Sequence, residues 1–254
     1  MLNLKGALIY FSGTGNTEYV IERFKKEFES RGVECDLVNT SIQKTLQEQY
    51  DFYVFGSPIH AEMFPKYYIE WVKDNIKKGT KKQCIIFSTQ ASSKGTGVEE
   101  LYNILRKKEI EIKIKDFIEM PNNYYIVMFK KTPEEEIQRL KKIAAEKVKS
   151  LVGDFLAGND MMREVSKARV FLGKIAYSMF YRYSLKWALK NLSVDEETCI
   201  ECEKCVNECP TNNINMTNGK ITFNSKCISC QHCIHKCPVN AFRYKGEIFE
   251  QYKI

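Results

Sequence analysis

The 254-residue chain predicts an α/β fold. A doubly wound parallel sheet fills residues 1–160, a helical connector follows over 161–194, and a small cysteine-rich module closes the chain over 195–254. Three observations predict this. Apolar runs alternate with amphipathic helical stretches through the first 160 residues. The runs Ala7–Phe11, Phe52–Phe55 and Cys84–Ser88 are continuous instead of alternating, the pattern of strands buried on both faces of a parallel sheet. Eight of the ten cysteines fall between Cys199 and Cys237.

The elements follow in order. A strand at Ala7–Phe11 leads to a helix from about Thr17 to Ser30 and a strand at Val33–Val38. A strand at Phe52–Gly56 precedes a helix from about Pro65 to Ile76. A strand at Cys84–Ser88 precedes a helix from about Val98 to Lys108, and a further strand covers Ile110–Ile118. A charged helix from about Pro133 to Phe155 closes the set, with proline suited to its first turn. Open sheets of this kind take ligands beyond the carboxyl ends of their strands, where strand order reverses.

Composition removes several classes of protein. With 44% hydrophobic and 28% charged residues, the chain is an ordinary globular one and not a disordered one. No apolar run reaches the roughly 18 residues that span a bilayer. The apolar start, Met1–Phe11, is too short for a secretory signal and reads as the first strand, so a cytoplasmic protein is expected. In that reducing setting a cysteine cluster binds metal more readily than it forms disulfides. The net charge of +7 divides as +2 over 1–160, +6 over 161–194 and −1 over 195–254. The excess sits in one connector with no recognition-helix context or zinc-finger spacing around it, so nucleic acid is not an expected partner.

Ser12-Gly13-Thr14-Gly15-Asn16-Thr17 follows the first strand directly and enters a helix. Small residues let the backbone approach a phosphate, hydroxyls donate to its oxygens, and the helix N-terminus adds free N–H groups. The loop lacks the closing lysine of nucleotide-binding P-loops and the G-x-G-x-x-G spacing of dinucleotide sites. A plain glycine turn would need only one or two of these six residues. The segment Phe11–Glu18 resembles the phosphate loop of the flavodoxins. That resemblance spans about 155 residues and implies a flavodoxin-like doubly wound parallel sheet binding FMN, with Ser12, Gly13, Thr14, Gly15, Asn16 and Thr17 around the phosphate. It also implies that the loops after the next two central strands, Gly56–Pro65 and Ser88–Gly97, grip the isoalloxazine ring. Ser57, Pro58, Ile59, His60, Ser88 and Thr89 are the candidates there, with backbone N–H groups around Ser57, Ile59 and Thr89 facing the ring's polar edge. The third loop carries no aromatic residue, and the second offers only His60 and Phe64 before Tyr67. One flavin face is therefore expected to be less covered than in a free electron carrier. For His60 the competing reading is a solvated loop residue.

Cys199-x2-Cys202-x2-Cys205-x3-Cys209-Pro210 recurs 28 residues later as Cys227-x2-Cys230-x2-Cys233-x3-Cys237-Pro238, with seven identities in 16 positions. This is an internal duplication and implies pseudo-two-fold symmetry. Each run has the spacing of the bacterial ferredoxins, in which the fourth cysteine serves the other cluster. Residues 195–254 resemble the two-cluster ferredoxins over essentially their whole length. By that resemblance one [4Fe-4S] cluster takes Cys199, Cys202, Cys205 and Cys237, and the second takes Cys227, Cys230, Cys233 and Cys209. A pair of zinc sites is the competing reading, although zinc motifs seldom present two tight four-cysteine runs each followed by proline. Asn218-Gly219 signals a hairpin between Ile214–Thr217 and Lys220–Phe223, and Lys245-Gly246 a weaker one. Cys35 and Cys84 read as buried core thiols, and His232 and His235 as surface residues.

In the connector, Val165, Ala168, Leu172, Ile175, Met179, Tyr183 and Trp187 recur at helical steps as one apolar face. Arg182, Lys186 and Lys190 fall on the same side of a continuous helix, which predicts a bend or two helices. The plainest reading packs this segment between the two modules. A membrane surface and an acidic redox partner are the alternatives.

Together the parts predict an α/β flavodoxin-like domain, a helical connector and a small α+β two-cluster ferredoxin domain, as in the flavodoxin–ferredoxin fusion proteins of anaerobes. The function expected is relay of electrons between FMN, two [4Fe-4S] clusters and a redox partner protein. The alternatives are an FMN-dependent oxidoreductase acting on a small organic substrate, and a partner-binding chain without flavin.

Overall fold

The computed structural model describes residues 4–46, 49–91 and 95–254. Five long parallel strands form the first unit: β1 (Lys5–Tyr10), β2 (Glu34–Asn39), β3 (Phe52–Pro58), β4 (Gln83–Gln90) and β5 (Glu111–Glu119). Between and after them run α1 (Asn16–Glu29), α2 (Lys66–Asn75), α3 (Gly97–Lys107) and α4 (Glu134–Leu156). A two-residue strand, β6 (Met161–Met162), adds itself parallel to β5, so the sheet order is β2-β1-β3-β4-β5-β6. The sheet thus takes in two residues beyond the limit of 160 expected from sequence.

Strand alternation builds two cores. Ala7, Ile9 and Phe11 point to one side with Phe55 and Ile86, where Tyr68 of α2 and Leu101 of α3 cover them. Leu8 and Tyr10 point to the other with Val54, Ile85 and Phe87, under Phe24 of α1 and Val148 of α4. Both-face burial of this kind is what the continuous apolar runs encode. Cys35 and Cys84 lie in these cores, and desolvation pushes the Cys35 thiol up to about 12 and that of Cys84 higher still. The strand order reverses between β1 and β3, which opens a crevice at their carboxyl ends.

The connector forms α5 (Lys167–Ser184) and, after a break, α6 (Trp187–Asn191). No helix among the described residues is long and apolar enough to cross a membrane. The second unit holds β7 (Leu192–Val194), α7 (Lys204–Asn207), β8 (Ile214–Thr217), β9 (Lys220–Phe223), α8 (His232–His235) and β10 (Phe242–Tyr244). β8 and β9 form the hairpin, with Asn218 and Gly219 both at positive φ. β7 pairs antiparallel with β10, so this unit begins slightly before residue 195.

The duplication seen in the cysteines extends to the backbone. Glu201, Glu203 and Asn212 hold positive φ, and so do Ser229, Gln231 and Asn240, each 28 residues on. Side chains other than glycine are uncommon at these angles. Here they bend each cysteine loop inward, and α7 and α8 open from corresponding positions. The core of this unit is small: Trp187, Ala188, Leu192, Ile234 and Phe242 form its main cluster, and Ile214 and Ala241 are also buried. Trp187, expected on the connector's apolar stripe, is fully buried here and stacks on Tyr244 at 5.9 Å.

One ion pair inside the first unit is testable. Lys115 of β5 is 5% exposed, and its Nζ lies 2.5 Å from Glu99 Oε1 of α3. Removing one member of a buried pair strands the other charge, at about 3–5 kcal/mol, whereas replacing both with apolar residues is near neutral. Glu99→Ala should therefore destabilise the protein by about 3 kcal/mol in chemical denaturation followed by circular dichroism. The double variant E99L/K115M should recover most of that loss.

Candidate cofactor sites

The crevice at the strand ends is a cavity of about 330 Å³, within the range of small-molecule sites. Ser12, Gly13, Thr14, Asn16 and Thr17 line one end. α1 starts in this loop because Gly15 takes φ 118° and the Ser12 hydroxyl oxygen accepts the Gly15 and Glu18 N–H groups, both at 3.2 Å. Thr17 Oγ1 lies 2.7 Å from Thr89 Oγ1, and Asn123 Nδ2 donates to Thr14 Oγ1. Two of the three hydroxyls are thus pre-positioned by the neighbouring loops.

Pro58, Ile59, His60 and Thr89 also line the cavity. Ala61 and Glu62 line it too and hold positive φ, and the Glu62 carbonyl accepts Thr96 N at 2.6 Å and Gly97 N at 2.9 Å, which ties the second loop to the third. His60 stands between Phe11 and Phe180 at 6.3 and 6.1 Å, both edge-on. Desolvation lowers its pKa to about 4, so the imidazole is neutral at pH 7. It is not the solvated loop residue of the competing reading.

Several expectations need correction. Gly15, Ser57 and Ser88 line no part of the cavity. Gly15 backs onto Ile254. Ser57 and Ser88 pair in register within the sheet and are fully buried. The Ile59 N–H is spent on the Thr89 carbonyl at 3.1 Å and does not face a ring edge. Ser92, Ser93 and Lys94 of the third loop lie outside the described residues.

The cover of the cavity comes from elsewhere. Tyr124, Met128 and Phe129, after β5, and Phe180 of α5 line it. Tyr124, Phe129 and Phe180 bring to the cavity aromatic side chains from outside the second and third loops. No local motif marks them, because each reaches the site through the tertiary fold.

The cysteines gather into two groups. Cys199, Cys202, Cys205, Cys233 and Cys237 line one cavity. Cys205, Cys209, Cys227, Cys230 and Cys233 line the second, so Cys205 and Cys233 are common to both. The fourth cysteine of each run therefore stands with the other run. Backbone N–H groups point at matching sulfurs, Asn213 N at Cys209 Sγ (3.2 Å) and Ala241 N at Cys237 Sγ (3.4 Å). Desolvation first, with neighbouring thiols adding to it, pushes Cys205 and Cys227 up to about 11 and Cys230 and Cys233 higher. Four thiolates at each place need a compensating positive centre, which the irons of a cluster supply. Among the described residues no three ligating side chains converge as a single-ion site, whereas each four-thiol group surrounds a cavity. The residues fit clusters.

The second unit is docked on the first at the phosphate loop. His232 Nδ1 lies 2.8 Å from the Gly13 carbonyl oxygen and its Nε2 2.7 Å from Glu208 Oε2. Tyr252 Oη donates to Asn16 Oδ1 at 2.6 Å, and Tyr124 Oη lies 2.6 Å from Ser229 Oγ. His235 is buried, accepting Tyr252 N at Nδ1. Neither histidine is the surface residue expected from sequence. A Cβ on Gly13 would stand 2.4 Å from the Cys230 carbonyl oxygen, so only glycine lets the loops meet. Ser229, Cys230 and Gln231 complete the cavity wall.

A switch-point cavity with a hydroxyl-rich phosphate loop, beside two four-thiol groups, defines a redox chain with two kinds of site. Residues 7–117 match the family model described as Flavodoxin domain, and residues 198–242 match that described as 4Fe-4S dicluster domain. The two matches follow one another in the order of a flavodoxin–ferredoxin fusion. No curated protein matches it. Among solved structures, a flavodiiron core from Synechocystis is similar at 16% identity and TM-score 0.39, over 60% of this chain and 36% of that one. An archaeal flavodoxin is similar at 14% identity and TM-score 0.38, over 59% and 99%. Flavodoxin 2 of Bacillus cereus is similar at 18% and 0.44, over 60% and 98%.

Two predictions follow from the loop. Replacing Thr14 and Thr17 with Val removes two hydroxyl donors to a charged phosphate, each worth about 1.5–3 kcal/mol. FMN affinity measured by fluorescence quenching should fall about a hundredfold or more. Gly13→Ala should force the two units apart, read as faster proteolysis in the connector.

Proposed function

We propose that this chain relays electrons between FMN in the switch-point cavity and two [4Fe-4S] clusters, and from them to an external redox partner protein. The observation that carries the reading is the position of Cys230. It lines the cavity of the second thiol group and is also part of the flavin cavity wall. No other cysteine among the described residues lines both. When bound, FMN exchanges electrons singly or in pairs, whereas each cluster passes one at a time.

The chain's own residues prepare that exchange. Ser12, Thr14 and Thr17 hold the phosphate end. His60, neutral at pH 7, and Phe180 and Tyr124 exclude water from the ring end. Cys205 and Cys233, bordering both thiol cavities, form the seam between the two clusters. Cys202 is the exposed cysteine of the eight, so the first cluster's edge is where an external partner meets the chain. Eight thiols reserved for metal fit a reducing, cytoplasmic setting.

Anaerobic purification should give about eight iron and one FMN per chain. Cys209→Ala should remove about four irons, leave FMN bound, and slow flavin reduction by reduced viologen in stopped flow. Cys237→Ala should remove the other four while leaving the second cluster's exchange with flavin intact. Loss of all iron in either variant, or flavin reduction equally fast in both and in the parent protein, would overturn the relay.

A further inference from the structure

The helix α5 is apolar on two opposite faces. Its inner face carries Gly173, Tyr177, Phe180 and Ser184. The Tyr177 hydroxyl accepts the Lys66 N–H at 2.6 Å, and Gly173 seats against Thr96 and Glu62. The part of the stripe read from sequence that lies on α5 is on the other side and open: Leu172 is 63% exposed, Ile175 46%, Met179 70% and Tyr183 53%, with Phe171 beside them at 64%, whereas Trp187, beyond the break, is buried.

Basic side chains flank the stripe. Arg163 and Arg169 are paired with Asp116 and Glu62. Lys174, Arg182, Lys186 and Lys190 enter no ion pair among the described residues, and Glu164 is the sole acid of the +6 segment. A second copy of the chain is a poor occupant. The stripe exposes on the order of 500 Å², the upper end for a monomer surface, against the roughly 800 Å² per partner of a stable pair. A two-fold contact would also bring the basic flanks together. An apolar ridge on one straight helix, edged by Lys and Arg and ending in Tyr183, matches a helix lying in the plane of an anionic lipid interface.

We infer that the outer face of α5 docks this protein on an anionic membrane surface, with Leu172, Ile175 and Met179 entering the headgroup–acyl boundary and Lys174, Arg182 and Lys186 pairing with lipid phosphates. The inference stands on the exposed face alone and is independent of the redox reading. The test is co-sedimentation of the anaerobic holoprotein with phosphatidylcholine vesicles, with and without phosphatidylglycerol. Iron and flavin content serves as the folding control. The protein should sediment only with the anionic vesicles, and less as salt rises. I175E/M179E and, separately, K174Q/R182Q/K186Q should each weaken binding at least about tenfold, with cofactor content unchanged. No association with anionic vesicles, or association that both variants retain, overturns the inference. A dimer in sedimentation velocity that I175E/M179E dissociates also overturns it, and assigns the face to a second copy.

Discussion

The contact on which the architecture depends is the approach of the Cys230 loop to the Gly13 carbonyl region. Two sites built on separate folds are useful to each other only if they are adjacent, and adjacency here comes from one backbone seated on another. Gly13 has no Cβ to hold the Cys230 carbonyl away. His232 ties the same place down twice, at Gly13 and at Glu208, the residue preceding Cys209. One imidazole therefore joins the phosphate loop, the first cysteine run and the second. The glycine of the hydroxyl-rich loop is thus the point at which the second unit approaches the first.

The second unit could not hold this pose on its own core. A small buried apolar set and two two-stranded sheets are little for a unit of this size, and small units of this kind commonly depend on metal. The cysteine loops also carry six non-glycine residues at positive φ, repeated at a spacing of 28. Each such conformation costs on the order of 1 kcal/mol. The thiol cavities lie between these loops, so ligation offsets the strain and the core deficit at once. Docking on the first unit adds to the same end, since Tyr252 is buried and Tyr124 half-buried across the junction.

How much could be read in the sequence follows from the range of the interactions. Strands buried on both faces need continuous apolar runs, so β1, β3 and β4 are visible in Ala7–Phe11, Phe52–Phe55 and Cys84–Ser88. Asn218-Gly219 needs no partner beyond its own hairpin, and it forms there. The grouping of the cysteines comes from the resemblance to the two-cluster ferredoxins, since spacing within one run does not say which run its fourth cysteine joins. What was hidden is long-range. Ser57 and Ser88 look like ligand-loop residues by position, but sheet register turns both inward. Tyr124, Phe129 and Phe180 carry no motif and reach the cavity only through the packing of β5's exit and α5. His232 and His235 look polar and exposed until the second unit is placed on the first.

The connector shows why periodicity alone did not decide between its readings. Steps of three and four find an apolar face, but α5 has two, and the more regular one, Leu172–Ile175–Met179–Tyr183, is the one facing out. The inner face is irregular because it fits a specific surface: a glycine against Thr96, a tyrosine hydroxyl at Lys66, a phenylalanine at the cavity. A face that fits one shape is broken up by that shape, whereas a face that meets a uniform medium keeps its period. Met179 and Phe180 are neighbours in sequence yet belong to opposite sides of this helix. The outer surface of α5 thus stands one helix diameter, about 10 Å, from the flavin cavity. Whatever seats that surface holds the cavity close to it.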